Sequence, residues 1–532
     1  MPRFQRTAPW PKRKGCILNV CELPVFVLTT MVCVSIASPK ANLPLADVTQ
    51  RAGQAEIRTP PAPRAPRING PAVLGVRAGH PFFFHIPTTG ERPMKFSATH
   101  LPDGLRLDIS KGEITGQVQK NGTYTVTLRA HNAYGNDRKK IRIVVGETIA
   151  LTPPMGWNSW NHYGSRIDQE IILRTARAMA ASGLIEHGWS YVDVDDGWQG
   201  VRGGPYSAIQ GNEKFPDIKR MCDEIHALGL KTGIYSTPWT TSYAGHIGGS
   251  AENPEGTWTK PTGPKMVNKK VLPWAIGKYH FTTNDARQWA EWGIDLLKYD
   301  WNPIEEPETR EMADALRRSG RDIVFSLSNN LNITNAPAVT LLANCWRTTG
   351  DIKANWKSMS SHGFGQEKWR RFCKPGHWND PDMLEIATHE KKQPGLTPDE
   401  EYTHMTIWCL DSAPLLLGND LTAMNAFTLN LLENDEVLAV DQDALGDQAV
   451  CVAMTDDTRV YSKKLADGSV AVGLFNTGNN GPVSVEIPYS QLQIKGQCRV
   501  RDLWRQKNLG KFRDKFSMTV QPHGAELVKI SR

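Results

Sequence analysis

The chain has 532 residues, enough for about three domains of ordinary size and a large buried core. Its composition is that of a globular protein, apart from 17 Trp, which suit sugar stacking and core packing equally well. The net charge is +7, but +4 of it sits on residues 1–37, where five basic residues face Glu22 alone, so the remainder carries no basic excess that would point to nucleic acid.

In chain order, a basic stretch ending at Lys14 precedes an apolar run over Leu23 to Ala37, with Ser35 and Ala37 as small residues at its end. This is the pattern of a signal peptide over 1–37, and the run is short and interrupted by Pro24 for a membrane anchor, so the expected location is secreted or periplasmic, with no membrane span after cleavage. Removing it takes Cys16, Cys21 and Cys33 and leaves six scattered cysteines without CxxC or CxH spacing. Neither a structural zinc site nor a dense disulfide framework is expected, although one or two bridges stay open. Residues 38–66 are rich in Pro, Ala, Arg and Thr and read as an extended linker.

Over 67–147, short alternating runs (PFFFHI, YTVTLRAH, KKIRIVVG) separated by turn signals (LPDG, SKGE, KNGT) predict a β-sandwich. No titratable cluster falls within it, which suits a spacer or docking module. From 148 to about 440 the rhythm becomes strands alternating with amphipathic helices. Strand candidates are MGWNSW, SYVDVDD, KTGIYS, DLLKYD, DIVFSLS, ANCWRTTGD, HWNDPDM and PLLLGND; helical patterns include EIILRTARAMAASGL, DIKRMCDEIHALG, NDARQWAEWG and EMADALRRSG. Eight such units predict an α/β fold of the (β/α)8 barrel type, and no Gly-rich phosphate loop follows the first strand to argue for a doubly wound sheet. Residues 251–280 read as an inserted loop, and 441–532 return to alternation with turns, predicting a C-terminal antiparallel β domain.

In a barrel the chemistry sits where the carboxyl ends of the strands converge. Those ends carry Trp160, Asp195, Asp196, Tyr235, Lys298, Asp300, Arg347, Asp351, Asp380 and Asp382. A strand-end Asp such as Asp300 can equally cap a helix, but so many carboxylates gathered with one Lys, one Arg and aromatic rings suit polyol recognition, with Asp300 and Asp351 as the carboxyl pair a glycoside hydrolase needs. Trp157, Trp198, Trp289 and Trp292 are expected in the core, Asp380 as a shaper of the loop before Pro381, and His162, His377 and His389 as capping or solvated residues, because no HxH or HExxH spacing makes them a metal site.

The segments TPPMGWNSWN, YVDVDDGW, GIYSTPW with AGHIGGS, GIDLLKYD, WRTTGDI, WNDPDML and LLLGNDL, followed by DGSVAVGLFN, resemble glycoside hydrolase family 27, the α-galactosidases and α-N-acetylgalactosaminidases. The sandwich segment resembles immunoglobulin-like modules found beside secreted bacterial enzymes. The family resemblance implies a retaining exo-glycosidase working by double displacement without a cofactor, on α-galactoside oligosaccharides or glycans. It implies Asp300 as nucleophile and Asp351 as general acid/base, with carboxyl groups about 5–5.5 Å apart. Asp195 and Asp196 would accept from O4 and O6, Lys298 would donate to O3 and O4, and Arg347 would reach O2, with Trp160 as a wall and Tyr235 and Asp382 in support. Where animal members pair cysteines, this chain has Tyr243 with Asn302 and Leu327 with Ala343, implying a different stapling. SLSNNLN at 326–332 replaces the family's Cys-Glu-Trp segment and puts Ser328 at the sugar's 2-position. The preferred substrate is the α-galactoside; α-N-acetylgalactosaminide, β-L-arabinopyranoside and an isomaltose-type glucan remain alternatives on the same scaffold. A carbohydrate-binding protein on a decayed barrel is disfavoured because both carboxylates are present.

Overall fold

The computed structural model describes residues 56–257, 275–388 and 395–532; the expected signal peptide, most of the linker, the middle of the 251–280 loop and His389 lie outside them. At the centre are eight parallel strands, β1 (Met155–Asn158), β2 (Tyr191–Val194), β3 (Lys231–Ser236), β4 (Leu296–Asp300), β5 (Val324–Ser328), β6 (Cys345–Arg347), β7 (Trp378–Asp380) and β8 (Leu415–Leu417). They run in sequence order from β1 to β7, with β8 beside β1. A parallel bridge between Leu384 and Leu417 closes the ring between β7 and β8. Each of the eight strand candidates contains one of them.

Period-two alternation makes the barrel interior. Tyr191, Leu296, Val324, Cys345 and Trp378 open their strands as an apolar floor cluster. Two and four residues further on, the same faces carry Asp193 and Asp195, Lys298 and Asp300, Ser326 and Ser328, Arg347, and Asp380 with Asp382, so polarity rises toward the carboxyl ends. The opposite faces pack outward: Tyr299 sits against Trp301 and Phe325.

The surrounding helices include α1 (Gln169–Ala181), α2 (Ile218–Ala227), α3 (Thr282–Trp292), α4 (Glu306–Arg317), α5 (Trp356–Gly363) and α6 (Pro398–Asp411). Side chains cap several of them: Asp168 accepts from Ile171 N, Asp217 from Arg220 N and Asn355 from Ser358 N, while Thr397 and Glu400 form a capping box on α6. The first four show the predicted apolar stripe. Helix α6 shows none, because every residue from Glu400 to Asp411 is buried. It is wedged between the barrel and the C-terminal domain, where Trp504 donates to Thr406 Oγ1 and Thr403 donates to His523 O.

The C-terminal domain is a six-stranded sheet facing a two-stranded one over its own apolar core. The N-terminal sandwich pairs a four-stranded with a three-stranded sheet. It docks on the barrel end opposite the mouth, where Asp322, just before β5, binds Arg77 Nη1 and the ring of His80 at 2.9 Å. Residues 56–66 form neither helix nor strand, and they are anchored. Arg58 donates to Ala525 O and lies over the Tyr402 ring, and Thr59 N donates to Asn430. All six described cysteines are free thiols. At one of the two positions where animal members pair cysteines, Leu327 and Ala343 are instead buried in the main core. Among the described residues no helix is long and apolar enough to cross a membrane.

Candidate active site

The strand ends open into a pocket of about 590 Å³. Trp160, Asp195, Asp196, Tyr235, Lys298, Asp300, Ser328, Arg347, Asp351 and Asp382 all line it, and Asp380 does not. Trp160 is the one tryptophan among the lining residues; Trp157, Trp198, Trp289 and Trp292 are buried in the core.

Two subsites emerge. On the first, β2, β3, β4 and β5 present Asp195, Asp196, Tyr235, Lys298, Asp300 and Ser328 within strands or one or two residues beyond them. Lys298 and Tyr235 are level across the β3–β4 pair, and Asp300 and Ser328 across β4–β5. Lys298 Nζ donates to Asp195 Oδ2 at 2.7 Å. Burial would depress the Lys298 amine, but Asp195 and Asp300 outweigh it and hold it charged. Burial pushes Asp300 up to about 6, against the pull of Lys298 and, further off, Arg347. The same desolvation raises Asp196 to about 7, although Ala244 N donates to its Oδ2 at 2.7 Å.

Beneath Asp195 lies Asp193, 1% exposed, with neither oxygen hydrogen-bonded among the described residues. Burial, reinforced by Asp195, raises it well above the usual carboxylate range. Gly233 makes room for it, since a Cβ there would stand 1.9 Å from Asp193 Oδ1.

On the second subsite, β6 and the segments after β6 and β7 supply Arg347, Asp351 and Asp382. Arg347 Nη2 bonds Asp382 Oδ2 at 2.6 Å and Asp351 Oδ1 at 3.2 Å. Asp382 Oδ2 also accepts from Ile352 N at 2.8 Å, tying down the residue beside Asp351. The Asp351 side chain is 84% exposed, whereas Asp300 is 8% exposed. Asp380, as expected, shapes the turn, accepting from Asp382 N at 2.8 Å.

Several lining residues were not among the site residues expected from the sequence. Asn329, at φ 75°, donates to Asp300 Oδ1 and to Tyr243 OH, so Tyr243 meets the nucleophile candidate through an amide at a position where animal members have a cysteine. Asn161 donates to Glu385 Oε1 on the opposite wall. The signal available for Asn329 and Tyr243 was their departure from the family pattern; nothing local marks Asn161 or Glu385. His162 approaches Asp420, and His377 contacts the carbonyls of Thr340 and Ala343. Among the described residues no group of His, Cys, Asp and Glu could hold a metal ion.

A family model described as "Alpha galactosidase A" matches residues 152–255 and 267–443 of this chain, and one for the α-galactosidase C-terminal β-sandwich domain matches 455–530. The chain belongs to the α-galactosidase family. An Ig-domain model matches residues 65–146. The family assignment has support from α-galactosidase 2 of Arabidopsis thaliana, 35% identical over 74% of this chain and 92% of the relative. The crystal structure of a candidate α-galactosidase from Bacteroides fragilis covers 88% of this chain and 98% of its own at a TM-score of 0.78 and 32% identity. A β-L-arabinopyranosidase from Geobacillus stearothermophilus has a TM-score of 0.60 at 28% identity, covering 72% of this chain and 97% of its own.

Proposed function

We propose that this member of the family hydrolyses terminal α-D-galactosyl residues with retention, using Asp300 as nucleophile and Asp351 as general acid/base. The observation that carries the reading is the contrast between the two carboxyls on one pocket: Asp300 is buried and fixed by Asn329, and Asp351 stands exposed on Arg347. A nucleophile must be held in one orientation, and a proton donor must reach a departing group that leaves toward solvent.

In the first half-reaction, Asp351 gives its proton to the glycosidic oxygen while Asp300 Oδ2, the oxygen that Asn329 leaves open, attacks the anomeric carbon. In the second, the Asp351 carboxylate takes a proton from the water that cleaves the glycosyl ester, and the sugar leaves with its α configuration. Lys298 lowers the cost of keeping Asp300 ionised in a buried site. Asp195, Asp196, Lys298 and Arg347 suit the sugar hydroxyls as acceptors and donors, and Trp160 suits a ring face. Ser328, level with Asp300, is assigned to the 2-position.

Three p-nitrophenyl glycosides test the substrate: α-D-galactopyranoside, its 2-acetamido analogue and β-L-arabinopyranoside. The galactoside should have the highest kcat/KM. Preference for the acetamido compound would mean that the Ser328 loop accepts the larger 2-substituent, and preference for the arabinoside would move the assignment to a sugar without C6. The apolar segment 23–37 supports export to the periplasm or medium; N-terminal sequencing of the protein recovered from a secreting host should begin shortly after Ala37.

A further inference from the structure

The segment after β7 lines the pocket through Asp382, Met383, Glu385 and Thr388. It is no ordinary strand end, because two non-glycine residues within it take left-handed backbone, Asp382 at φ 101° and Ala387 at φ 53°. Such conformations persist only where neighbouring structure enforces them. The enforcement comes from one face of α6. Trp408 Nε1 donates to Asp382 O at 2.8 Å, His404 Nε2 accepts from Glu385 N at 2.9 Å, and Glu401 Oε1 accepts from Ala387 N at 2.8 Å. Spacings of three and four residues stack these side chains along one helical ridge. All three are at least nine-tenths buried. To accept from Glu385, His404 must be neutral with its proton on Nδ1, and burial lowers it to about 3, which keeps it so. A Cβ at Gly363 of α5 would stand 2.8 Å from the Trp408 ring, so the indole is gripped from that side too.

The segment leads directly to the acid. Asp382, whose carbonyl Trp408 holds, binds Arg347 and the Ile352 amide, and both of these flank Asp351. We propose that the Glu401–His404–Trp408 ridge consists of positioning residues that act through Asp382 to hold Asp351 in proton-donating geometry. The inference rests on Asp351 being the general acid.

The test compares a p-methoxyphenyl α-galactoside, whose departure needs a proton, with the 2,4-dinitrophenyl α-galactoside, which leaves without one, on the full-length enzyme. Trp408→Phe and His404→Leu should lower kcat/KM for the first about ten-fold or more, a part of the roughly 10²–10⁴-fold that general acid catalysis supplies, and leave the second within about two-fold. Glu401→Leu should act in the same direction and less, being furthest from Asp382. His404→Gln and Glu401→Gln, which keep an acceptor for the same amides, should restore most of the loss; should Trp408→Phe not fold, His404→Leu and Glu401→Leu carry the test. Equal losses on both substrates, or none in folded Trp408→Phe, His404→Leu or Glu401→Leu, would overturn the proposal. Asp351→Ala separates this failure from that of the parent reading: if that variant lacks leaving-group dependence, Asp351 is not the acid; if it has it and the ridge variants do not, the ridge alone is wrong.

Discussion

The two halves of the pocket are built by different means. The half that would hold the sugar and the nucleophile stands on β2 to β5, with its carboxylates buried and the ammonium of Lys298 bonded to Asp195 and attracted by Asp300. The half that would protonate the leaving group stands on β6 and two following segments, contains left-handed Asp382, and leaves Asp351 open to solvent. A strand end gives precision from backbone pairing alone. A segment beyond a strand reaches further over the substrate, but its backbone must be restrained from elsewhere, by Arg347, Asp382 and α6.

The largest effect should come from setting the two halves against each other. Asp300→Ala should lower kcat by about 10⁴-fold or more on every leaving group, as loss of a covalent nucleophile does. Asp351→Ala should do so by about 10²–10⁴-fold on poor leaving groups only, the range for general acid catalysis. Steady-state kinetics over a series of aryl galactosides would show it, and parallel profiles for the two variants would erase the distinction.

Lys298→Met comes next. It leaves Asp195 and Asp300 buried without their cation, so the fold should lose about 3 kcal/mol or more, as breaking a buried ion pair does. Activity near neutral pH should fall because Asp300 takes up a proton more readily. Denaturant unfolding and the pH profile of kcat/KM measure the two parts; a variant of unchanged stability would mean that the ammonium matters only to the sugar.

The smallest effect concerns the pH limb. Burial puts Asp300 at about 6 and the attack needs its carboxylate, so kcat/KM should fall as pH drops through about 6. The Asn329 hydrogen bond favours the ionised form, so Asn329→Ala should move this acidic limb to higher pH, with a modest loss at the plateau. A limb that stays in place would mean that Asn329 positions Asp300 without tuning it.

Much of this was open to a reader of the sequence. The barrel strands declare themselves because a strand buried on both faces must be an apolar run, and the polar residues ending each run mark the mouth. Period two then assigns Lys298 and Asp300 to one face from their spacing alone. The four amphipathic helices were legible for the same reason, one face wet and one dry. Helix α6 was not, because burial on every side erases the period by which a helix is recognised.

The sequence alone therefore determined the strand ends and the charges they carry, since local alternation encodes which face each residue takes. Tertiary structure alone decided what meets across the barrel. Asn329 reaches Asp300 from the neighbouring strand, Arg347 joins Asp351 to Asp382, and α6 holds the backbone of the segment behind them. Most of these contacts link residues distant along the chain, and no periodicity records them. They exist because eight strands wound into a ring point their ends at one another, which is a property of the closed fold.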